Sequence, residues 1–332
     1  MRTLKRLIFL VLTGVILFAA WFVYQVNKPV SLPAVPYEFS IEPGSSLKSV
    51  AKQLTDAGVL HDAWSFVLLS RAMGLASSLK AGDYEIVEST SPLQLLERIT
   101  KGDINQSEIR FIEGWTFAQL RQTLDEHPAV RHDTTKLSAR EILQLIGASE
   151  TAGEGLFFPD TYFFARGSSD TGILRRAYRA MQNHLNTAWA ERAINLPLTD
   201  PYQALILASI VEKETGKESD RTMVAGVFVN RLRLSMLLQT DPTVIYGLGD
   251  RFDGNLRKKD LLTDQEYNTY TRRGLPPTPI AMPGLASIQA ALNPAKTDAL
   301  YFVAKGNGES HFSNNLADHN RAVSKYQKRQ TL

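Results

Sequence analysis

Beyond the N-terminal run, the one long helical stretch that carries acidic residues on an otherwise apolar segment lies at residues 200–216, DPYQALILASIVEKETG. Ala204, Leu205, Ile206, Leu207, Ala208, Ile210 and Val211 leave almost no polar face, which predicts a helix buried nearly all round. Asp200 suits its N-cap, Pro201 its first position, Gln203 the return arm of a capping box and Gly216 its stop. Upstream, alternation predicts strands at 37–41, 80–87 and 108–112. Helical spacing predicts helices at 47–57, 62–73, 91–101, 117–126 and 172–192, with two short ones within 133–148. Downstream come a helix at 221–232, a strand-like stretch at 244–246, a loop with four prolines at 274–284 and a strand at 299–303. Short strands between helices predict an α+β fold: a small unit over residues 37–106 and a larger one over 107–332.

One stretch follows a different rule. Residues 7–27, LIFLVLTGVILFAAWFVYQVN, carry no charge and follow Arg2, Lys5 and Arg6. About 20 helical residues cover the roughly 30 Å of a bilayer's hydrocarbon, so this run reads as a single transmembrane helix. Basic residues before it and Trp21 and Tyr24 at its far end predict a cytoplasmic tail at 1–6, with the bulk of the chain exported. A signal peptide cleaved near Ala19 and Ala20 is the competing reading, and the apolar run continuing through Trp21, Phe22 and Val23 favours the anchor. Residues 28–36, with Pro29, Pro33 and Pro36, read as a stiff spacer off the membrane.

The buried helix ends in two carboxylates, Glu212 and Glu214, which lie about 200° apart and cannot share one site through the same face. Glu214 continues the bulky row of Leu207, Ile210 and Val211, whereas Glu212 follows Ala204, Leu205, Ala208 and Ser209. A carboxyl group in the drier surroundings holds its proton to higher pH, which favours Glu214 as a general acid. The alternative from spacing is a Glu214–Lys217 pair, with Glu212 solvating the helix end. Further polar candidates are Asn230, the turn Gln239, Thr240 and Asp241, then Tyr246, Asn268, Tyr270 and His311. The aromatic run at 155–164, GLFFPDTYFF, reads first as core and second as a sugar platform around Asp160 and Thr161.

Composition narrows the chemistry. Thirty-seven basic against 34 acidic residues, with no basic stripe, argue against nucleic acid as a partner. The absence of cysteine removes thiol nucleophiles, and six scattered histidines offer no metal motif, so neither a metal nor another cofactor is expected. Carboxylate chemistry with amide, hydroxyl and aromatic side chains remains, which is how proteins handle neutral sugars.

The ordered motifs FPDTY, ASIVEKET, VNRL, LQTDPTVIYG, YNTY, GLPPTPIAMPG and HFSNN, together with KAGDYEI in the small unit, resemble the endolytic murein transglycosylases, the MltG or YceG-like family. The resemblance spans nearly the whole chain. It implies a single-pass inner-membrane protein with a LysM-like periplasmic subdomain and a catalytic domain that cuts nascent glycan strands internally without water. It implies Glu214 as the catalytic residue, peptidoglycan strands as substrate and peptidoglycan synthases as candidate protein partners. Where the family usually reads Asn in the proline-rich loop, this chain has Met282. Two other classes remain open from the residues: a non-catalytic murein-binding scaffold, and a water-using muramidase with Asp241 as its second carboxylate.

Overall fold

A computed structural model describes residues 2–32, 37–42, 44–80, 82–86, 90–101, 106–165 and 167–327. Pro33 and Pro36 of the expected spacer, Pro43 of the expected turn and the expected helix stop Gly102 lie outside the described residues. The chain divides into two compact units, one of residues 1–108 with 129–131 and 163–168, the other of 109–128, 132–162 and 169–332.

The first unit begins with helix α1 (Arg2–Asn27), whose stretch Phe9–Asn27 is long and apolar enough to cross a membrane. Strand β1 (Tyr37–Ile41), helices α2 (Leu47–Asp56) and α3 (Ala63–Ala72), strand β2 (Gly82–Ile86) and helix α4 (Pro92–Lys101) follow. Ser46 and Asp62 cap α2 and α3 by accepting from Ser49 N and Ser65 N, so each helix starts where its sequence signal stands. β1 and β2 pair antiparallel, with Tyr37 opposite Ile86 and Ile41 opposite Gly82. Val50, Ala51, Leu54, Phe66, Ile86, Leu96 and Ile99 form one buried core.

Strand β3 (Gln106–Arg110) comes next, and then α5 (Phe117–Glu126), α6 (Ala139–Ile146), β4 (Thr161–Ala165) and α7 (Asp170–Ala190). β3 and β4 form the second two-stranded sheet. In place of two short helices within 133–148 there is one α-helix, α6, started by a Ser138–Glu141 capping box and stopped at Gly147 with φ +81°. The polar stretch before it is held instead by Asp170, whose Oδ2 accepts from Thr134 N at 2.9 Å and Thr134 Oγ1 at 2.8 Å. Most of the aromatic run is core: Leu156, Phe157, Phe158, Tyr162 and Phe164 are buried while Phe163 is exposed, and the Asp160 carbonyl accepts from Phe111 N.

The second unit is assembled around α8 (Pro201–Glu214). Asp200 caps it by accepting from Gln203 N, and Ala204 through Val211 are buried without exception. Around α8 pack α7, α9 (Glu218–Arg233), α10 (Asp241–Leu248) and α12 (Leu285–Leu292), with the short α11 (Lys258–Leu262) beside α10. Strands β5 (Tyr301–Ala304) and β6 (Ser310–Ser313) pair antiparallel, and α13 (Leu316–Tyr326) packs on them. Residues 244–246 are helical rather than strand-like. Pro242 in the first turn of α10 presets a helical φ, and its missing N–H is one the helix start leaves unused, which outweighs the β-branched Val244 and Ile245. Gly155, at φ +76°, is required on a second count: Pro279 of the proline-rich loop occupies the space a Cβ would need.

Candidate active site

Glu214 is the last residue of α8, half-buried where the helix meets the N-terminus of α10. Burial raises its carboxyl above the ordinary range and the charge of Asp241 adds to that, while a hydrogen bond from Thr240 and the charge of Arg231 oppose it. The Thr240 bond is short, 2.6 Å from Oγ1 to Glu214 Oε2. Lys217 does not pair with Glu214: its Nζ lies 2.7 Å from Glu309 Oε1. Glu212 points to the other side of α8, where its Oε2 accepts from Gly284 N at 3.0 Å.

The turn that delivers Thr240 is built from hydroxyls. Thr240 N donates to Thr269 Oγ1 at 3.1 Å, Gln239 N to Thr269 O at 3.1 Å, and Thr243 Oγ1 to Thr240 O at 2.8 Å. Gln239 adopts φ +51°, costly for a residue with a side chain, and Arg231 offsets that strain. The buried Arg231 guanidinium gives Nε to Leu300 O at 2.7 Å and Nη1 to Leu237 O, Leu238 O and Gln239 Oε1 at 2.9–3.3 Å. Tyr270 donates its hydroxyl to Asp241 Oδ1. Burial and that neighbouring carboxylate hold the phenol protonated.

These groups open onto a cleft of about 540 Å³ lined by Glu214, Arg231, Gln239, Asp241, Tyr270 and, from the C-terminal segment, Tyr301 and His319. Tyr301 is sandwiched, with Arg231 5.0 Å from its centroid and the His319 ring stacked at 5.2 Å and 25°. Burial, then the charges of Arg231 and His311, lower the His319 pKa, so the imidazole is neutral near pH 7. Its Nδ1 is buried without a hydrogen-bond partner among the described residues, and the residue lines the cleft.

Of the residues singled out in the sequence, the structure brings together Glu214, Gln239, Thr240, Asp241 and Tyr270. The others sit elsewhere. Asn268 is fully buried, its Nδ2 donating to Asp260 O, Leu261 O and Thr263 O, so it closes the α11 loop instead of facing the cleft. Asn230 donates to Thr297 O and Ala299 O, tying α9 to the segment before β5. His311 packs near Tyr326 in a separate depression, and Met282 is buried, its backbone paired with Gly114 and Trp115. Tyr246 belongs to a second polar cluster, donating its hydroxyl to Glu154 Oε2 at 3.1 Å. Glu154 also accepts from Phe117 N at 3.0 Å, and burial pushes its carboxyl up to about 7.

Arg231, Tyr301 and His319 were not singled out in the sequence. Arg231 carried a weak signal, a cation beside the apolar Val227, Phe228, Val229 and Leu232, shared with Arg233 two residues on. Tyr301 and His319 carried none, because β5 and α13 are joined to the site only by the fold.

Residues 39–325 match the sequence profile of the YceG-like family. The chain belongs to that family. Every cleft residue named above falls inside the matched span, whereas the whole of α1 lies before it. Among relatives, the chain is 33% identical over 314 residues to the endolytic murein transglycosylase of Bacillus subtilis, covering 86% of this chain and 84% of that protein. It is 28% identical to the endolytic murein transglycosylase of Streptococcus pneumoniae, spanning 57% of that longer protein. A crystal structure of a yceG-like protein from Listeria monocytogenes superposes with a TM-score of 0.54 at 29% identity, over 86% of this chain and 98% of that one.

Proposed function

We propose that this YceG-like protein is an endolytic lytic transglycosylase acting on the β-1,4 bond between N-acetylmuramic acid and N-acetylglucosamine in nascent glycan strands. Glu214 is its acid and base. The observation that carries the reading is a single half-buried carboxyl group, held proton-rich by burial and aligned by Thr240, on the wall of a polar and aromatic cleft.

In the first step the Glu214 carboxylic acid protonates O4 of the leaving N-acetylglucosamine as the C1–O4 bond of the muramyl residue breaks. In the second the Glu214 carboxylate accepts the proton of the muramyl C6 hydroxyl while O6 bonds to C1. The proton returns to where it began, and no water enters. Arg231 and Tyr270 set the field around Glu214: the cation eases formation of the carboxylate, and Tyr270 occupies the nearby Asp241 by donating to it. With that bond made, Asp241 is less free to serve as the base a muramidase would require. Gln239, Asp241, Tyr270 and the neutral His319 supply the sugar contacts, whereas Glu212, Asn230, Tyr246, Asn268 and His311 support the scaffold.

The order strand, helix, helix, strand of the first unit and its paired β1 and β2 support a LysM-like subdomain over residues 37–106, with the catalytic domain at 107–332. The apolar, largely exposed stretch of α1 supports a single inner-membrane span with the bulk periplasmic. A transglycosylase at that place would end elongating strands beside peptidoglycan synthases. Mass spectrometry of uncrosslinked glycan incubated with the purified protein tests the reading: it expects 1,6-anhydromuramyl ends. New reducing ends would make the protein a hydrolase, and no new ends would make it a scaffold.

A further inference from the structure

The apolar run of α1 is longer than the part of it left free for a bilayer. Val26 is only 6% exposed and belongs to the same core as Phe39, Leu69 and Leu96, and Phe22 and Val30 pack against that core. The C-terminal end of α1 is therefore an element of the first unit, lying against α3 and α4. What remains, from residue 7 to residue 21, is about 22 Å long at 1.5 Å per residue, against roughly 30 Å of hydrocarbon. A span that short requires the bilayer to thin or the attached domain to settle into the interface.

The first unit carries a surface suited to the second outcome. Trp64, in the first turn of α3, meets Phe18 of α1 edge-on at 6.4 Å, and Phe18 in turn packs on Trp21 at 5.9 Å. The Trp64 indole thus stands level with the last free turn of the apolar helix, yet it is 56% exposed. Leu68, half-buried, lies one turn further along α3 beside Val67, which packs against the core, and exposed Arg71 lies on the same side two turns on. Arg71 is the lone charge in that ten-residue helix. Just past the helix, Met73 is 41% exposed. An indole beside an apolar stripe that ends in a cation matches the layering of a phospholipid interface, with hydrocarbon below and phosphate above.

We propose that α3 is a second membrane contact: Trp64 inserts into the outer-leaflet interface beside Phe18 and Trp21, and Arg71 reaches the phosphates. This rests on the reading of α1 as a membrane anchor. The first unit then lies flat on the bilayer instead of standing off it on a spacer. The test uses the full chain in vesicles of phosphatidylethanolamine and phosphatidylglycerol, with acyl chains brominated near the headgroup to quench nearby tryptophan fluorescence. Of the four tryptophans, Trp21 reports the anchor and Trp64 the proposed contact. The quenched signal should fall by roughly half in Trp64→Phe and by a similar share in Trp21→Phe, because both rings sit at interface depth. A drop in Trp21→Phe alone overturns the α3 contact and leaves the anchor standing. Quenching unaffected by either change removes the anchor reading and the proposal with it. Circular dichroism confirms that Trp64→Phe, at an exposed position, remains folded.

Discussion

Thr240 Oγ1 donates to Glu214 Oε2 at 2.6 Å, and this bond orients the carboxyl group while opposing the rise in proton affinity that burial gives it. A bond to the charged form lowers the pKa, so Thr240→Val should raise it further. Because the first step needs the protonated acid, the alkaline limb of the kcat profile should move to higher pH. Asp241→Asn removes a neighbouring negative charge and should move the same limb to lower pH. Unchanged profiles in both variants would separate Glu214 from the rate.

Arg231 holds the turn that carries Thr240 through Leu237 O and Leu238 O, and reaches Leu300 O as well. Lysine places one ammonium where the guanidinium fork served several carbonyls, and leaves buried acceptors unpaired. Arg231→Lys should cost about 2 kcal/mol of stability, lowering Tm by roughly 4–8 °C for a unit of this size. Its kcat should fall further than the stability loss explains, since Gln239 and Thr240 lose their register. A thermal melt with single-turnover kinetics on the same samples separates the two effects.

Glu154 makes stability depend on pH. Its carboxyl is raised from 4.5 to about 7 by burial, so its contribution is fully present below pH 4.5 and is lost as pH rises through 7. The shift corresponds to roughly 3 kcal/mol at most. Glu154→Gln keeps the contact to Tyr246 without the titration. The stability of the original protein relative to this variant should therefore decline between pH 4.5 and 7 and level off above, read from denaturant midpoints across that range. Parallel curves would place the Glu154 proton elsewhere.

Much of this arrangement was legible in the residues. The buried α8 follows from the apolar run of Ala204–Val211, interrupted only by Ser209, and the divergence of Glu212 and Glu214 follows from 100° per residue. The turn at Gln239 and Thr240 was visible from its own sequence. Its structural context was not, because Thr269, Arg231 and Leu300 reach it from separate elements. Asn268 shows the opposite limit: an amide in a polar motif suggests a ligand contact, and only the three carbonyls around it reveal a loop clasp. Residues 244–246 mislead because β-branching reports local preference, whereas the proline at the start of α10 and packing against α8 decide the backbone.

In the proposed mechanism one carboxyl group, Glu214, carries both proton transfers. The most direct test is the yield of 1,6-anhydromuramyl ends from glycan treated with equal amounts of folded Glu214→Gln and Glu212→Gln proteins, checked by their melting curves. Glu214→Gln should melt near the original temperature and give almost no anhydro product, because an amide neither donates an acidic proton nor accepts one. Glu212→Gln, whose amide oxygen can still accept from Gly284 N, should lose only about 1 kcal/mol of stability by trading a charged for a neutral acceptor, and retain cleavage. An active Glu214→Gln protein beside a folded but inactive Glu212→Gln protein would contradict the assignment.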